Sequence, residues 1–132
     1  MKFHRFKESV SIEEINEIEN SLGISLPQSY KELMSQYNGG YPEKEFFRGE
    51  TVLFLSFKYG GPLQIEPKIS KLKDFFPEGF FPFCSYQSAF ACISLNEDDY
   101  GKIFAIEETG DHELLCDSFD EFMEELSYDS DY

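Results

Sequence analysis

The order of apolar and polar positions divides the chain into short amphipathic units. Ile12, Ile15, Ile18 and Leu22 recur at three- and four-residue spacing, Ser11 and Glu14 form a capping box ahead of them, and Gly23 supplies a stop. That pattern predicts a helix over 12–21. Pro27 stands where a first helical residue belongs, and Tyr30, Leu33, Met34 and Tyr37 trace one stripe closed by Asn38-Gly39-Gly40, which predicts a second helix over 27–37. The β-branched and aromatic run 51–57 reads as a buried strand ending at Gly60-Gly61-Pro62. Ile65, Ile69, Leu72 and Phe76 fit a helical period, which Pro67 and Pro77 confine to 68–76.

Further on, 80–86, 89–95 and 102–107 read as strands of an antiparallel meander, with a tight turn at Gln87-Ser88 and a polar loop at 96–101. Thr109-Gly110-Asp111 is a turn and 114–116 a short edge strand. Ser118 with Glu121 then makes a second capping box, opening a helix with Phe119, Phe122, Met123 and Leu126 inward. The predicted class is α+β: a mainly antiparallel sheet with two N-terminal helices and a C-terminal helix packed on it. Its expected core includes Ile15, Leu22, Leu33, Phe54, Ile93, Ile103, Phe119 and Phe122.

A length of 132 residues fits a single domain over 1–132, with 127–132 expected to form a flexible acidic tail. Charge changes the picture more than length does. The chain has 11 Lys and Arg against 26 Asp and Glu, a formal net charge of -15, and no Lys or Arg follows Lys102 while eleven carboxylates do. Such a chain lacks the cation clusters that hold nucleic acid or anionic membranes, so a basic partner is expected. An aromatic fraction of 17% places this acidity on a folded protein.

The N-terminus carries no apolar signal segment and no run approaches a membrane span, so a cytoplasmic location is expected. Cys84, Cys92 and Cys116 have no C-x-x-C spacing, and buried reduced thiols are expected. Cys84 and Cys92 flank the 87–88 turn, which leaves their approach across the hairpin open.

The pieces resemble the SUKH superfamily of bacterial toxin-immunity proteins and fungal cell-wall regulators. The resemblance rests on Ile15 and Glu19, on Leu22-Gly23-Ile24-Ser25-Leu26-Pro27 with Ser29-Tyr30, and on Tyr37-Asn38-Gly39-Gly40. It continues through Phe81-Pro82-Phe83, Asp99-Tyr100-Gly101-Lys102-Ile103 and Ser118-Phe119-Asp120-Glu121-Phe122 with Leu126. One departure is the 84–90 hairpin, where similar proteins often carry a turn with Asp and Gly. The resemblance implies an immunity protein that binds and neutralises a cognate toxin; a non-catalytic regulatory scaffold module is the alternative.

No catalytic constellation emerges from the residues themselves. His4 and His112 lie near the N-terminus and in a turn, and no phosphate-cradling, dinucleotide-binding, G-x-S-x-G or H-E-x-x-H motif occurs. Asp98 and Asp99 lack the regular ligand spacing of a calcium loop. No enzyme activity, cofactor or metal is therefore expected.

The candidate partner-binding residues are those that mix aromatics with carboxylates in loops: Tyr41, Glu43, Glu45, Phe46 and Phe47, then Glu97, Asp98, Asp99 and Tyr100. Glu107, Glu108 and Asp111 extend the charge, so that one acidic rim is expected. A nuclease suits such a rim, because it must hold phosphates with Lys and Arg.

Overall fold

Local signals set most elements where the chain enters and leaves them. In the computed structural model, residues 3–4, 8–57, 79–86, 89–107 and 111–128 are described, the side chain of Leu22 excepted. The predicted helix at 68–76 and the turn at 87–88 lie outside them. Helix α1 (Ile12–Leu22) opens on the Ser11 and Glu14 capping box and closes at Gly23 in the left-handed conformation. Helix α2 (Gln28–Gln36) follows Pro27, which has no side-chain cap to offer. Tyr37-Asn38-Gly39-Gly40 then turns the chain sharply, with Gly39 at φ 81° and Gly40 at φ 93°.

That turn is fastened from inside. Asn38 is buried; its Nδ2 donates to the carbonyls of Phe57 and Glu8, both at 2.8 Å, and its Oδ1 accepts from the Phe57 N–H at 2.8 Å. A side chain at Gly39 would strike the Ser56 hydroxyl and lie 2.9 Å from the Leu55 carbonyl oxygen. The Asn-Gly-Gly sequence thus does more than stop a helix: it clamps the helical layer to the end of the first long strand.

The strands are β1 (Phe3–His4), β2 (Tyr41–Pro42), β3 (Phe46–Phe47), β4 (Glu50–Phe54), β5 (Phe80–Tyr86), β6 (Ala89–Ser94), β7 (Ile103–Ile106) and β8 (His112–Cys116). β1 and β2 pair antiparallel, and the other six form a curled antiparallel meander in sequence order. Helix α3 (Phe119–Glu125) follows at once, with the Ser118 hydroxyl accepting from the Glu121 N–H. The Glu121 carboxylate accepts from the N–H of Asp117 at 3.1 Å.

The predicted α+β arrangement is therefore found, with β1, β2 and β3 as additions. The segment expected to be a loop at 41–47 contributes two of these strands. Each has only two residues, too few for alternation to show in a sequence.

Helices and sheet meet on one face. Tyr30 of α2 makes edge contacts with Phe81, Phe83 and Phe119, while Phe122 of α3 stacks on Phe47 at 4.5 Å between ring centroids. Ile15, Phe54, Ile93, Ile103, Phe119 and Phe122 are buried as expected, and Leu33 is half-buried against them. The expected contribution of Leu22 lies outside the described side chains.

A second apolar layer lies on the opposite face of the sheet. Because side chains alternate along a strand, Cys84, paired with Ala91, points into the helix-covered core, whereas Cys92, paired with Phe104, points away from it. Cys92 and Ile106 form a separate buried cluster with Phe80, Phe90 and Phe104 packed against it. All three cysteines are free and buried, and Cys84 and Cys92 belong to different faces, so the hairpin does not join them.

Candidate functional site

The first expected group is partly consumed by the fold. Tyr41 pairs with His4 and is half-buried, and the Glu45 carbonyl accepts from the Val52 N–H at 2.9 Å. Glu43 is exposed, and Lys44 brings its ammonium 5.6 Å from the ring centroid of Tyr128. Phe46 is half-buried and exchanges backbone hydrogen bonds of 3.0 and 2.8 Å with Ser127, at the start of the expected tail. Phe47 is fully buried, sandwiched between Tyr86, Phe122 and the Arg48 guanidinium. Named among the candidate partner-binding residues, it is a core residue, because successive side chains of a strand point to opposite faces and β3 turns Phe47 in while Phe46 is left half out.

The second group is held rigidly. Glu97–Asp99 form one 3-10 turn between β6 and β7. The Ser94 hydroxyl donates to the Asp99 carboxylate, and the Lys102 N–H donates to the Asp99 carbonyl at 3.0 Å. Tyr100 is 47% exposed, yet its hydroxyl donates to the Ser25 carbonyl at 2.7 Å, tying this loop to the α1–α2 connection. Glu97 and Asp98 face solvent.

Glu107 and Asp111, both exposed, begin and end the β7–β8 connection, where the Glu107 N–H donates to the Asp111 carbonyl at 3.0 Å. Glu108 lies outside the described residues. The single acidic rim expected from the sequence does not form. The chain reverses direction at each turn of an antiparallel meander, so the β6–β7 loop and the β7–β8 connection lie at opposite ends of β7. Four strand residues span ~13 Å at the usual rise, which keeps Glu97 and Asp98 apart from Glu107 and Asp111.

A cluster that the sequence did not single out joins the two sides of the sheet. Donor atoms of Cys116, Glu121 and Glu125 lie within 4.8 Å of one another. Arg48 donates to the Leu115 carbonyl at 2.7 Å and to the two Glu125 carboxylate oxygens at 3.3 and 3.4 Å. The Cys116 thiol donates to Glu125 at 3.0 Å. Burial pushes that thiol up, as do its hydrogen bond to Glu125 and the Glu125 and Glu121 charges, with Arg48 opposing. Burial works to raise the Glu125 carboxyl, but the hydrogen bonds from Cys116 and Arg48 and the Arg48 charge outweigh it and bring it below its ordinary value. With a guanidinium already on Glu125 and a protonated thiol beside it, the set suits a hydrogen-bonded latch better than a metal centre.

Leu114 and its surroundings also escaped the sequence reading. Leu114 is 46% exposed and pairs with Phe104, which makes edge contact with Phe80 and His112. The alternation of Phe104 with Ala105, and of Leu114 with Glu113, is the signal that could have placed them on a second face.

No helix among the described residues is long and apolar enough to cross a membrane. The chain is similar to a protein of Bacillus subtilis (strain 168) described as "Uncharacterized protein YnaB", at 29% identity over 130 residues, covering 98% of this chain and 75% of that one. The SMI1/KNR4 family model matches residues 9–125, a span from the start of α1 to the end of α3 that takes in the Asn38 clamp, the meander and the capped final helix. By that match the chain belongs to the SMI1/KNR4 family (SUKH-1).

Proposed function

We propose that this chain is a non-catalytic immunity protein that binds and neutralises a cognate basic toxin, a nuclease, inside the cell that produces both. Membership of the family supports an immunity-like or regulatory role. The observation that carries the choice is the charge: every Lys or Arg lies at or before Lys102, and eleven carboxylates follow it. A nuclease presents cations to bind phosphate, so carboxylates laid on that surface compete with its substrate and speed encounter. Apolar and aromatic groups then slow release.

On this reading the candidate residues would take separate roles. Glu97 and Asp98, on a loop pinned by Ser94 and Tyr100, would present charge at fixed positions, as would Glu43, Glu107 and Asp111 at the surface. Tyr41, Phe46 and Tyr100 would add half-exposed aromatic area. Glu45 and Asp99, both half-buried, would contribute mainly through their field.

Co-expression with the product of the neighbouring gene is the test. Growth rescue and a stoichiometric complex support the reading. A neighbour that is neither toxic nor bound, with regulatory cellular proteins captured instead, would favour the scaffold role.

A further inference from the structure

The outer face of β8 is the most distinctive surface left over by the fold. Three large hydrophobic side chains are exposed among the described residues: Tyr100, Tyr128 and Leu114. Tyr100 spends its hydroxyl on Ser25, and Tyr128 has the Lys44 ammonium over its ring, 5.6 Å from the centroid. Leu114 stands on the last strand of the meander, beside Phe104.

The backbone at this position also faces outward. The bond from the Glu107 N–H to the Asp111 carbonyl makes those two a hydrogen-bonded pair. By alternation, Ala105 and Glu113 form the next such pair, and the amide and carbonyl of Leu114 turn away from β7. The other edge of the sheet is different: β3 is already bridged by Ser127.

Among the described residues, the exposed charge along β8 and the start of the last helix is negative. Asp111, Glu113, Asp117 and Glu121 are exposed, no Lys or Arg occurs after Lys102, Lys102 itself lies 4.0 Å from Asp117, and Arg48 is spent on Glu125 and Leu115. We infer that β8 is a docking edge for an extended segment of a cationic protein, one that alternates apolar and basic residues. Such a segment adds a strand beside β8. Its apolar positions meet Leu114 and the neighbouring Phe104, while its basic positions, on the other face, meet Glu113 and the α3 carboxylates.

This inference rests on the partner being basic, as proposed above, but places the anchor on a strand edge rather than in the loops. Two measurements keep the ideas apart. Growth rescue by the wild-type chain against its neighbouring gene product tests the immunity reading alone.

The edge itself is tested on the isotope-labelled full chain, titrated at low salt with a short peptide alternating Leu and Lys and with its Leu/Glu counterpart. The expected result is amide shifts centred on Phe104 and 112–116 with the Leu/Lys peptide only. Leu114→Ser should weaken that binding about tenfold, and Asp111→Asn with Glu113→Gln should flatten its salt dependence. Asp111, Glu113 and Leu114 are all exposed, so both variants should keep the wild-type spectrum elsewhere. The inference is overturned by no shifts, by shifts scattered over the acidic loops, by equal binding of the two peptides, by an unaffected Leu114→Ser, or by concentration-dependent self-association through β8.

Discussion

Arg48 reaches the backbone of Leu115: its Nη2 donates to that carbonyl at 2.7 Å, joining the turn after the first strand of the meander to the last strand. The residue does so from an unfavourable backbone. Arg48 has φ 50° and is followed by Gly49 at φ 83°, a left-handed pair that suits a two-residue hairpin but ordinarily favours Asn or Gly in the first position. The guanidinium accounts for the exception, since Asn or Gly would relieve the backbone and lose the bridge. This one side chain, with the α3 carboxylate it also engages, ties the first turn of the meander to the end of its last strand without pairing the two edges.

Arg48→Ala is expected to cost about 2–3 kcal/mol in denaturant unfolding, mostly from the charged hydrogen bond to Leu115. Arg48→Asn should cost less, because its backbone fits the turn. Glu125→Gln should cost under about 1 kcal/mol, since that ion pair is about one-third exposed. Equal losses for Arg48→Ala and Glu125→Gln would locate the stabilisation in the ion pair instead.

Asn38 gives a second prediction. Asn38→Ala strands the Phe57 amide and carbonyl in the interior, and releases the Glu8 carbonyl nearer the surface, so it should cost about 3 kcal/mol. Asn38→Asp should be worse, because a carboxylate would face the Glu8 and Phe57 carbonyls that now receive an N–H. Thermal melts of the two variants check the order.

Stability should also fall in alkali. Burial raises the Cys84 thiol, against its backbone hydrogen bond with Leu53, and raises the Cys92 thiol as well. Their folded values lie above the ordinary 9.0, so the contribution is complete below that pH and is lost as pH rises beyond it. Under reducing conditions the loss should approach about 1.4 kcal/mol per pH unit for each thiol above about pH 9. A Cys84→Ala, Cys92→Ala chain should lose the share of these two thiols and keep that of Cys116, which is also raised; an unchanged slope would assign it to other groups.

Interface roles should separate kinetically once the toxin is in hand. Removing the charges of Glu97 and Asp98 should lower the association rate and flatten its salt dependence. Tyr41→Ala should speed dissociation, with a loss of ~2 kcal/mol if its ring is desolvated. Tyr100→Phe isolates the tether to Ser25: a slower association without faster dissociation would show that the hydroxyl acts by holding the acidic loop. Unchanged kinetics in all three variants would move the interface away from these loops.

The two long N-terminal helices, the β5–β8 meander and the capped last helix were legible because each advertises itself locally, through Ser11 with Glu14, through Gly23, or through runs of alternating side chains. Glu19 shows the limit of that legibility. Its spacing places it on the helix, but only the fold reveals that it is buried, accepting from the Leu26 N–H at 2.7 Å and pairing with Lys31 at 2.7 Å. Phe47 and Arg48 were opaque for the same reason, since their partners Phe122 and Leu115 lie far along the chain. The acidic loops were found one by one, but their separation by β7 is a property of strand direction, which composition does not carry.

The Asn38 clamp also bears on chemical ageing. Asn followed by Gly is the sequence most prone to deamidation, because the glycine nitrogen is unhindered and can attack the side-chain amide to form a succinimide. Here the Asn38 amide is held by three hydrogen bonds, and the Gly39 N–H is engaged with the Tyr37 carbonyl at 2.8 Å, so the folded chain withholds both reactants. An unfolded chain has no such protection. Each excursion from the native state exposes position 38 to a change that removes the clamp's donor, so molecules that linger unfolded progressively lose the means to return.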